Sequence, residues 1–195
     1  MDAEFWDERY RSRERLFSGA PNGVLVDEVK GLTPGQALDV GCGEGGDALW
    51  LARQGWRVTA TDISRTALER AAAEGADVAD RVAWIHGDLT SMAPPAGTFD
   101  LVSAQYFPLP LHVDVNGLLD AVAPGGTLLF VGHDLAGLPA DMDPDPRGFY
   151  QPSQVADLLD GSWVVEVNET RPRTAANPEG AHHTHDTVLR ARRVQ

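Results

Sequence analysis

Three glycines and two carboxylates carry the first legible chemistry. Gly41, Gly43 and Gly46 stand in Leu38-Asp39-Val40-Gly41-Cys42-Gly43-Glu44-Gly45-Gly46-Asp47, where a short apolar run meets a turn that opens a helix. Glycines at this spacing let the backbone turn sharply and approach a ligand closely. Asp62 follows Gly41 by 21 residues and ends a second strand-like run, Arg57-Val58-Thr59-Ala60-Thr61. A carboxylate about 20 residues beyond such a turn, at the tip of the neighbouring strand, is placed to accept hydrogen bonds from a ribose diol. The pattern predicts a site for a nucleoside.

The glycine spacing alone also fits a dinucleotide fingerprint, so the second carboxylate matters. Asp39 stands two residues before Gly41, at the tip of the first strand. An anion there disfavours a pyrophosphate, which wants helix N-terminal amides and no nearby negative charge. It suits a cationic ligand end, an ammonium or a sulfonium. Glu44 and Asp47 in the same loop argue the same way.

The elements that must position these residues alternate along the chain. Residues 2–16 read as a short amphipathic helix with Phe5, Trp6 and Tyr10 at helical spacing, and 23–31 as a second helix ended by glycine. Strands are expected at 37–41, 57–61, 82–86, 99–104 and 126–132, with helices at 46–54, 65–78, 114–122 and 152–159. Such alternation predicts right-handed crossovers and a parallel sheet with helices on both faces. The runs 162–171 and 183–193, joined by a turn over 174–181, read as an antiparallel hairpin. Residues 136–148 carry three prolines and read as a long loop.

From Asp39 to Gly45 the chain resembles the class I S-adenosylmethionine-dependent methyltransferases, whose first motif reads acid-x-Gly-x-Gly-x-Gly. The resemblance continues through Asp62-Ile63, Gly87-Asp88-Leu89, the strand Phe99 to Gln105, and Ala123-Pro124-Gly125-Gly126, in order over residues 35–135. It implies a doubly wound, Rossmann-like α/β fold of seven mostly parallel strands, with the last strand antiparallel beside the fifth. It also implies S-adenosylmethionine as cofactor. Asp62 then meets the ribose, Asp88 the adenine amino group, and Ile63 and Leu89 sandwich the ring. Asp39, Gly41, Gly43 and Gln105 complete the cofactor site. Trp6-Asp7-Glu8-Arg9-Tyr10 and Ser18 to Asn22 are similar to the tellurite-resistance-type and thiopurine-type branch, where an N-terminal segment folds over the cofactor, so Trp6 and Tyr10 are expected to pack there. The parts are then an N-terminal helical cap over 1–34, a cofactor-binding core over 35–135, and a substrate-side loop, helix and hairpin over 136–195, all in one methyltransferase domain.

Histidines form the less expected cluster. His182, His183 and His185 precede and enter the last strand, followed by Asp186, and the fifth strand ends in Gly132-His133-Asp134. An antiparallel last strand starts at the edge where the parallel strands end, so His133, His183 and His185 are expected to converge near the transferred methyl. Three readings stay open: general bases that deprotonate the acceptor, ligands of a divalent metal such as zinc, nickel or iron, or polar residues of a strand end. Cys42 lies in the glycine turn and is not expected to be a nucleophile.

Composition bounds the partners. Asp and Glu number 29 against 16 Lys and Arg, a formal charge of −13. That balance argues against nucleic acid and anionic membrane, which need a basic face. One cysteine excludes an intrachain disulfide. No signal-peptide pattern and no run near the ~20 apolar residues of a membrane span occur. The expectation is a cytoplasmic enzyme acting on a small-molecule methyl acceptor (a thiol, a metalloid oxyanion, a hydroxyl or an amine). The competing readings are a cofactor-binding sensor without transferase activity and a nicotinamide-dependent oxidoreductase. The latter is disfavoured because Lys30 is the only lysine, leaving no tyrosine–lysine pair after the fourth strand. The acceptor's identity and the oligomeric state do not follow from the sequence.

Overall fold

The computed structural model describes residues 1–136, 144–173 and 184–194. Seven strands form one sheet: β1 (Gln36–Val40), β2 (Arg57–Asp62), β3 (Val82–His86), β4 (Phe99–Gln105), β5 (Val122–His133), β6 (Trp163–Pro172) and β7 (His185–Arg193). Their spatial order is β3-β2-β1-β4-β5-β7-β6. The β1–β2, β1–β4, β2–β3 and β4–β5 pairs are parallel, and β7 runs antiparallel to both β5 and β6. This is the doubly wound, mostly parallel sheet expected, with the last strand inserted antiparallel beside the fifth.

The helices are α1 (Ala3–Arg11), α2 (Gly23–Val29), α3 (Gly46–Arg53), α4 (Arg65–Glu74), α5 (Asn116–Ala121) and α6 (Pro152–Ala156). Several are shorter than periodicity predicts, for local reasons. The side chain of Asp2 accepts from Phe5 N and starts α1 one residue late, an N-cap worth about 1 kcal/mol. Ser64 caps α4 by accepting from Ala67 N, and Gly75 ends that helix four residues before its apolar pattern fades. β5 starts at Val122 rather than 126, because Phe99 pairs with Val122 across a register shift.

The core lies on both faces of the central strands. Leu38, Val40, Leu101, Val102, Leu128 and Leu129 are at most 1% exposed, as a parallel sheet covered by helices on both sides requires. One layer joins α2 and α3 to the sheet through Leu25, Leu51, Trp56, Leu129 and Val188. The other joins α5 and α6 through Leu118, Leu119, Phe130, Val155 and Leu189. β6 is an edge strand, and Val164 and Val165 on it stay exposed. Among the described residues no helix is long and apolar enough to cross a membrane.

Candidate active site

The turn after β1 is built by glycine. Gly41, Gly43 and Gly45 all adopt positive φ, at 68°, 53° and 82°, a region that costs residues with a Cβ roughly 1–2 kcal/mol. Space is equally restrictive. A Cβ on Gly41 would lie 2.6 Å from the Phe107 ring, one on Gly43 2.7 Å from the Tyr10 hydroxyl, and one on Gly46 2.7 Å from the Ala20 carbonyl oxygen. Gly46 is therefore needed for chain packing, because the N-terminal segment crosses directly over the start of α3.

Asp62 ends β2 and binds the turn. Its carboxylate accepts from Gly43 N and from Ser64 N, both at 2.8 Å. A carboxylate has about four acceptor positions, so two remain for a diol. Burial raises the Asp62 carboxyl above its usual value, against the lowering effect of these amides.

Asp39 is 2% exposed, and its Oδ2 has no hydrogen-bond partner. Burial, reinforced by Asp47 and Asp62, pushes this carboxyl well above its usual range. Gln105, at the end of β4, donates from Nε2 to Ser103 Oγ at 3.0 Å, while its Oε1 is buried without a partner. Ser103 lies beside Asp39 in the β1–β4 register. Two adjacent strands thus end in buried acceptors lacking donors, a costly state for groups removed from water. A cationic donor would satisfy both.

The other expected cofactor residues occupy the same edge. Ile63 is half-buried, and its carbonyl oxygen lies 3.0 Å from His86 Nε2. Asp88 spends Oδ1 on the backbone N–H and hydroxyl of Thr90, at 2.8 and 2.6 Å, and so also shapes its own turn. Leu89 packs on the α5–α6 side of the core. Trp6 is half-buried, Tyr10 is 3% exposed, and their ring centroids lie 6.2 Å apart. Burial, with the nearby Asp62, Cys42 and Glu44 carboxylate and thiol groups, pushes the Tyr10 phenol above its usual value. Burial and the Asp39 and Asp62 carboxylates likewise push the Cys42 thiol up, which disfavours the thiolate a nucleophile needs.

Sequence reasoning read Glu44 and Asp47 only as anions hostile to phosphate. Their partners give them a second task. Glu44 accepts from Leu16 N and Phe17 N at 3.0 and 3.1 Å and pairs with Arg70 at 2.9 Å. Asp47 accepts from Asn22 N at 2.6 Å and Asn22 Nδ2 at 2.8 Å. With Asp7, which accepts from Ser64 Oγ at 2.6 Å, they tie the N-terminal segment to the glycine turn and to α4. No motif signals these contacts, because each joins residues at least 25 positions apart.

Of the three expected histidines, His133 and His185 do not share a face of the sheet. His133 sits opposite Asp186 in the β5–β7 register, which puts those two side chains on one face and His185, one residue earlier, on the other. His185 Nδ1 lies 2.9 Å from Thr184 Oγ. His182 and His183 lie outside the described residues, and among those described no group of three or more His, Cys, Asp or Glu is placed to hold a metal ion. The described neighbours of His133 include Tyr106, Arg173 and Asp186; of these, only Asp186 stood beside the histidines in the sequence reading. Tyr106 follows β4 at φ 56°, stacks on His133 with ring centroids 4.3 Å apart, and donates to Asp186 Oδ1 at 2.9 Å.

One consequence of the Asp39 environment is measurable. A carboxyl pushed up by burial keeps its proton to higher pH in the free protein, and a cation docked beside it favours the charged form. Binding of a ligand with an ammonium or sulfonium should therefore release protons and tighten as pH rises through the raised range in which this carboxyl ionises. Calorimetry in buffers of different ionisation enthalpy should show a more exothermic signal in Tris than in phosphate. Proton uptake, or identical heats in both buffers, would contradict this role for Asp39.

Comparison with known proteins agrees with this geometry. Residues 37–126 match the family model described as a methyltransferase domain. The chain is 31% identical over 166 residues to a ubiquinone biosynthesis O-methyltransferase of Vibrio parahaemolyticus, covering 75% of this chain and 70% of that protein. It is 26% identical over 180 residues to a 2-heptyl-1-hydroxyquinolin-4(1H)-one methyltransferase of Mycobacteroides abscessus, covering 89% and 78%. A solved structure described under the conversion of a disulfide bond into a thioacetal group during echinomycin biosynthesis superposes with a TM-score of 0.75, at 25% identity over 98% of this chain and 92% of that one. Together with the strand order, the glycine turn and the carboxylates at the strand ends, these matches show that the chain belongs to the class I S-adenosylmethionine-dependent methyltransferases.

Proposed function

We propose that the chain transfers the methyl group of S-adenosylmethionine to a small-molecule nucleophile: a thiol, a metalloid oxyanion, a hydroxyl or an amine. The observation that carries this reading is the pair of buried, unpartnered acceptors Asp39 Oδ2 and Gln105 Oε1, on the sheet edge where Asp62 presents its carboxylate. A sulfonium with an adjacent ammonium fits them, and a pyrophosphate does not.

The bound sulfonium supplies an activated methyl group and a good leaving group. What the chain contributes is alignment and exclusion of water. Asp62 holds the ribose diol, Asp88 faces the adenine amino group, and Ile63 and Leu89 flank the ring. Gly41 and Gly43 bring the backbone close. Asp39 and Gln105 orient the amino-acid end. Trp6 and Tyr10, pinned through Glu44, Asp47 and Asp7, cover the site, which supports kinship with the tellurite-resistance-type and thiopurine-type branch. In this division residues 1–34 cover the cofactor, 35–135 bind it, and 136–195 face the acceptor. His133 and His183 are assigned to the acceptor side; His185 reaches it only if the acceptor extends to the opposite sheet face.

Methyl-tritiated cofactor tests the reading. Label should pass to members of a panel of small thiols, phenols and amines. Transfer to purified ribosomal subunits but to no small molecule would overturn the small-acceptor assignment. The charge of −13 disfavours that outcome.

A further inference from the structure

Phe107 stands on the glycine turn. A Cβ on Gly41 would lie 2.6 Å from its Cδ2, and 3.4 and 3.6 Å from the two carbons bonded to it, Cε2 and Cγ. A ring lying flat on the turn would hold these three carbons at closely similar distances. Phe107 therefore meets Gly41 edge-on, and its faces look sideways. The ring is half-buried and packs on the α5–α6 layer of the core. Among the described residues no other aromatic ring stacks on it.

The local backbone holds the ring in this place. Tyr106 N donates to Val131 O at 2.8 Å, and φ 56° at Tyr106 then turns the chain. Strain of this kind persists only where surrounding contacts enforce it, and it gathers at working sites. Its effect is to send successive rings to opposite sides: Tyr106 packs on the α2–α3 layer and Phe107 on the α5–α6 layer. Leu109, 1% exposed, pins the loop from both sides. Its N–H donates to Phe107 O at 2.9 Å, and its carbonyl oxygen accepts from Tyr150 N at 2.8 Å. Tyr150 is half-buried on the same layer. Residues 106–111 and 149–151 carry no charged side chain. Arg173 lies with Tyr106 on the other layer, where its Nε is 3.6 Å from Asp186 Oδ1. An oxyanion finds no cation on this loop, whereas a planar ring finds an apolar shelf.

In the cofactor arrangement argued above, Asp39 and Gln105 mark the amino-acid end and Asp62 the ribose. The sulfur joins the two, so the transferred methyl belongs over the stretch from Gly41 to Gly43, and Phe107 stands at its start. We propose that Phe107 is the specificity-determining residue of the acceptor side, a shelf for a planar aromatic ring whose ring-borne hydroxyl, thiol or amine takes the methyl. The inference rests on the small-molecule transferase reading and narrows its acceptors to aromatic ones, against a metalloid oxyanion or an aliphatic thiol. The heteroatom's lone pair forms the bond to the methyl carbon, the carbon–sulfur pair leaves on sulfur, and the acceptor's proton passes to water. Contact with Phe107 holds the ring so that its heteroatom lies in line with methyl and sulfur.

Calorimetry of the protein saturated with S-adenosylhomocysteine, the demethylated cofactor, reads this without turnover. The probes are 2-naphthol and decahydro-2-naphthol, which share a skeleton and a hydroxyl but differ in planarity. Native protein should bind 2-naphthol roughly three- to tenfold more tightly, the gain of one aromatic pair. Phe107→Leu should abolish that preference, with S-adenosylhomocysteine and decahydro-2-naphthol affinities within about twofold of native. Phe107→Tyr, which keeps the ring, should retain it. Failure of 2-naphthol to bind, equal native affinity for the two probes, or an unchanged preference in Phe107→Leu would overturn the proposal. So would a Phe107→Leu loss of S-adenosylhomocysteine affinity as large as that for 2-naphthol, which would assign the ring to the cofactor. Native protein that does not bind S-adenosylhomocysteine would remove the transferase reading as well; bound S-adenosylhomocysteine with no preference for the planar probe would remove this proposal alone.

Discussion

Replacing Asp62 with alanine should weaken S-adenosylmethionine binding by roughly 200- to 1,000-fold, with the fold retained. The carboxylate has two free acceptor positions after Gly43 N and Ser64 N are served, and each hydrogen bond from a ribose hydroxyl to an ionised acceptor contributes about 1.5–3 kcal/mol. Two of them together give about 3–4 kcal/mol once the diol's own desolvation is subtracted, and 1.4 kcal/mol is tenfold. The substitution also leaves two backbone amides without their acceptor, which loosens the turn. Asp62→Asn keeps an acceptor but loses the charge and should fall between native and alanine. Calorimetric titration decides it. An affinity within threefold of native for Asp62→Ala would remove Asp62 from the site.

Gly43→Ala should weaken cofactor binding by roughly 30- to 100-fold, about 2–3 kcal/mol. The new Cβ would stand in the left-handed region at φ 53°, at a cost of about 1–2 kcal/mol. It would also lie 2.7 Å from the Tyr10 hydroxyl. In the free protein the turn can relax away from both penalties. Binding has to restore it, so the cost appears in affinity. The two parts separate in a double-mutant cycle. Tyr10→Phe removes the hydroxyl, so Tyr10→Phe with Gly43→Ala should bind more tightly than Gly43→Ala alone yet remain weaker than native. Strictly additive losses in the cycle would mean that Tyr10 does not lie over the turn in solution.

Local signals reach as far as the backbone plan and no further. The buried parallel strands could be read from Val40, Val58 and Leu101 because strands covered on both sides are apolar on both faces. The placement of the glycine turn and of Asp62 at the strand ends could be read because these residues are close in sequence. The His133 cluster could not. Its geometry depends on the β5–β7 register, which pairs His133 with Asp186 instead of His185, and a one-residue difference in register moves a side chain to the other face. The positive φ of Tyr106 leaves no trace in its residue type. Glu44 and Asp47 were visible as charges, but their partners Leu16, Phe17 and Asn22 reach them only after the N-terminal segment has folded back. Short-range pattern thus reaches the glycine turn and the strand-end carboxylates, while long-range packing sets the surroundings of His133.

The acidic site makes a strong demand on ligand charge, since Asp39, Asp47 and Asp62 lie close enough to raise the Asp39 carboxyl. A cation is favoured there and a pyrophosphate is repelled. Isothermal calorimetry of the native protein with S-adenosylmethionine, and in parallel with a nicotinamide dinucleotide, tests this most directly. Saturable binding of S-adenosylmethionine without added metal, and no heat from the dinucleotide, is the predicted result. Binding of the dinucleotide with none of S-adenosylmethionine would contradict the assignment of the glycine turn and Asp39 to a sulfonium cofactor.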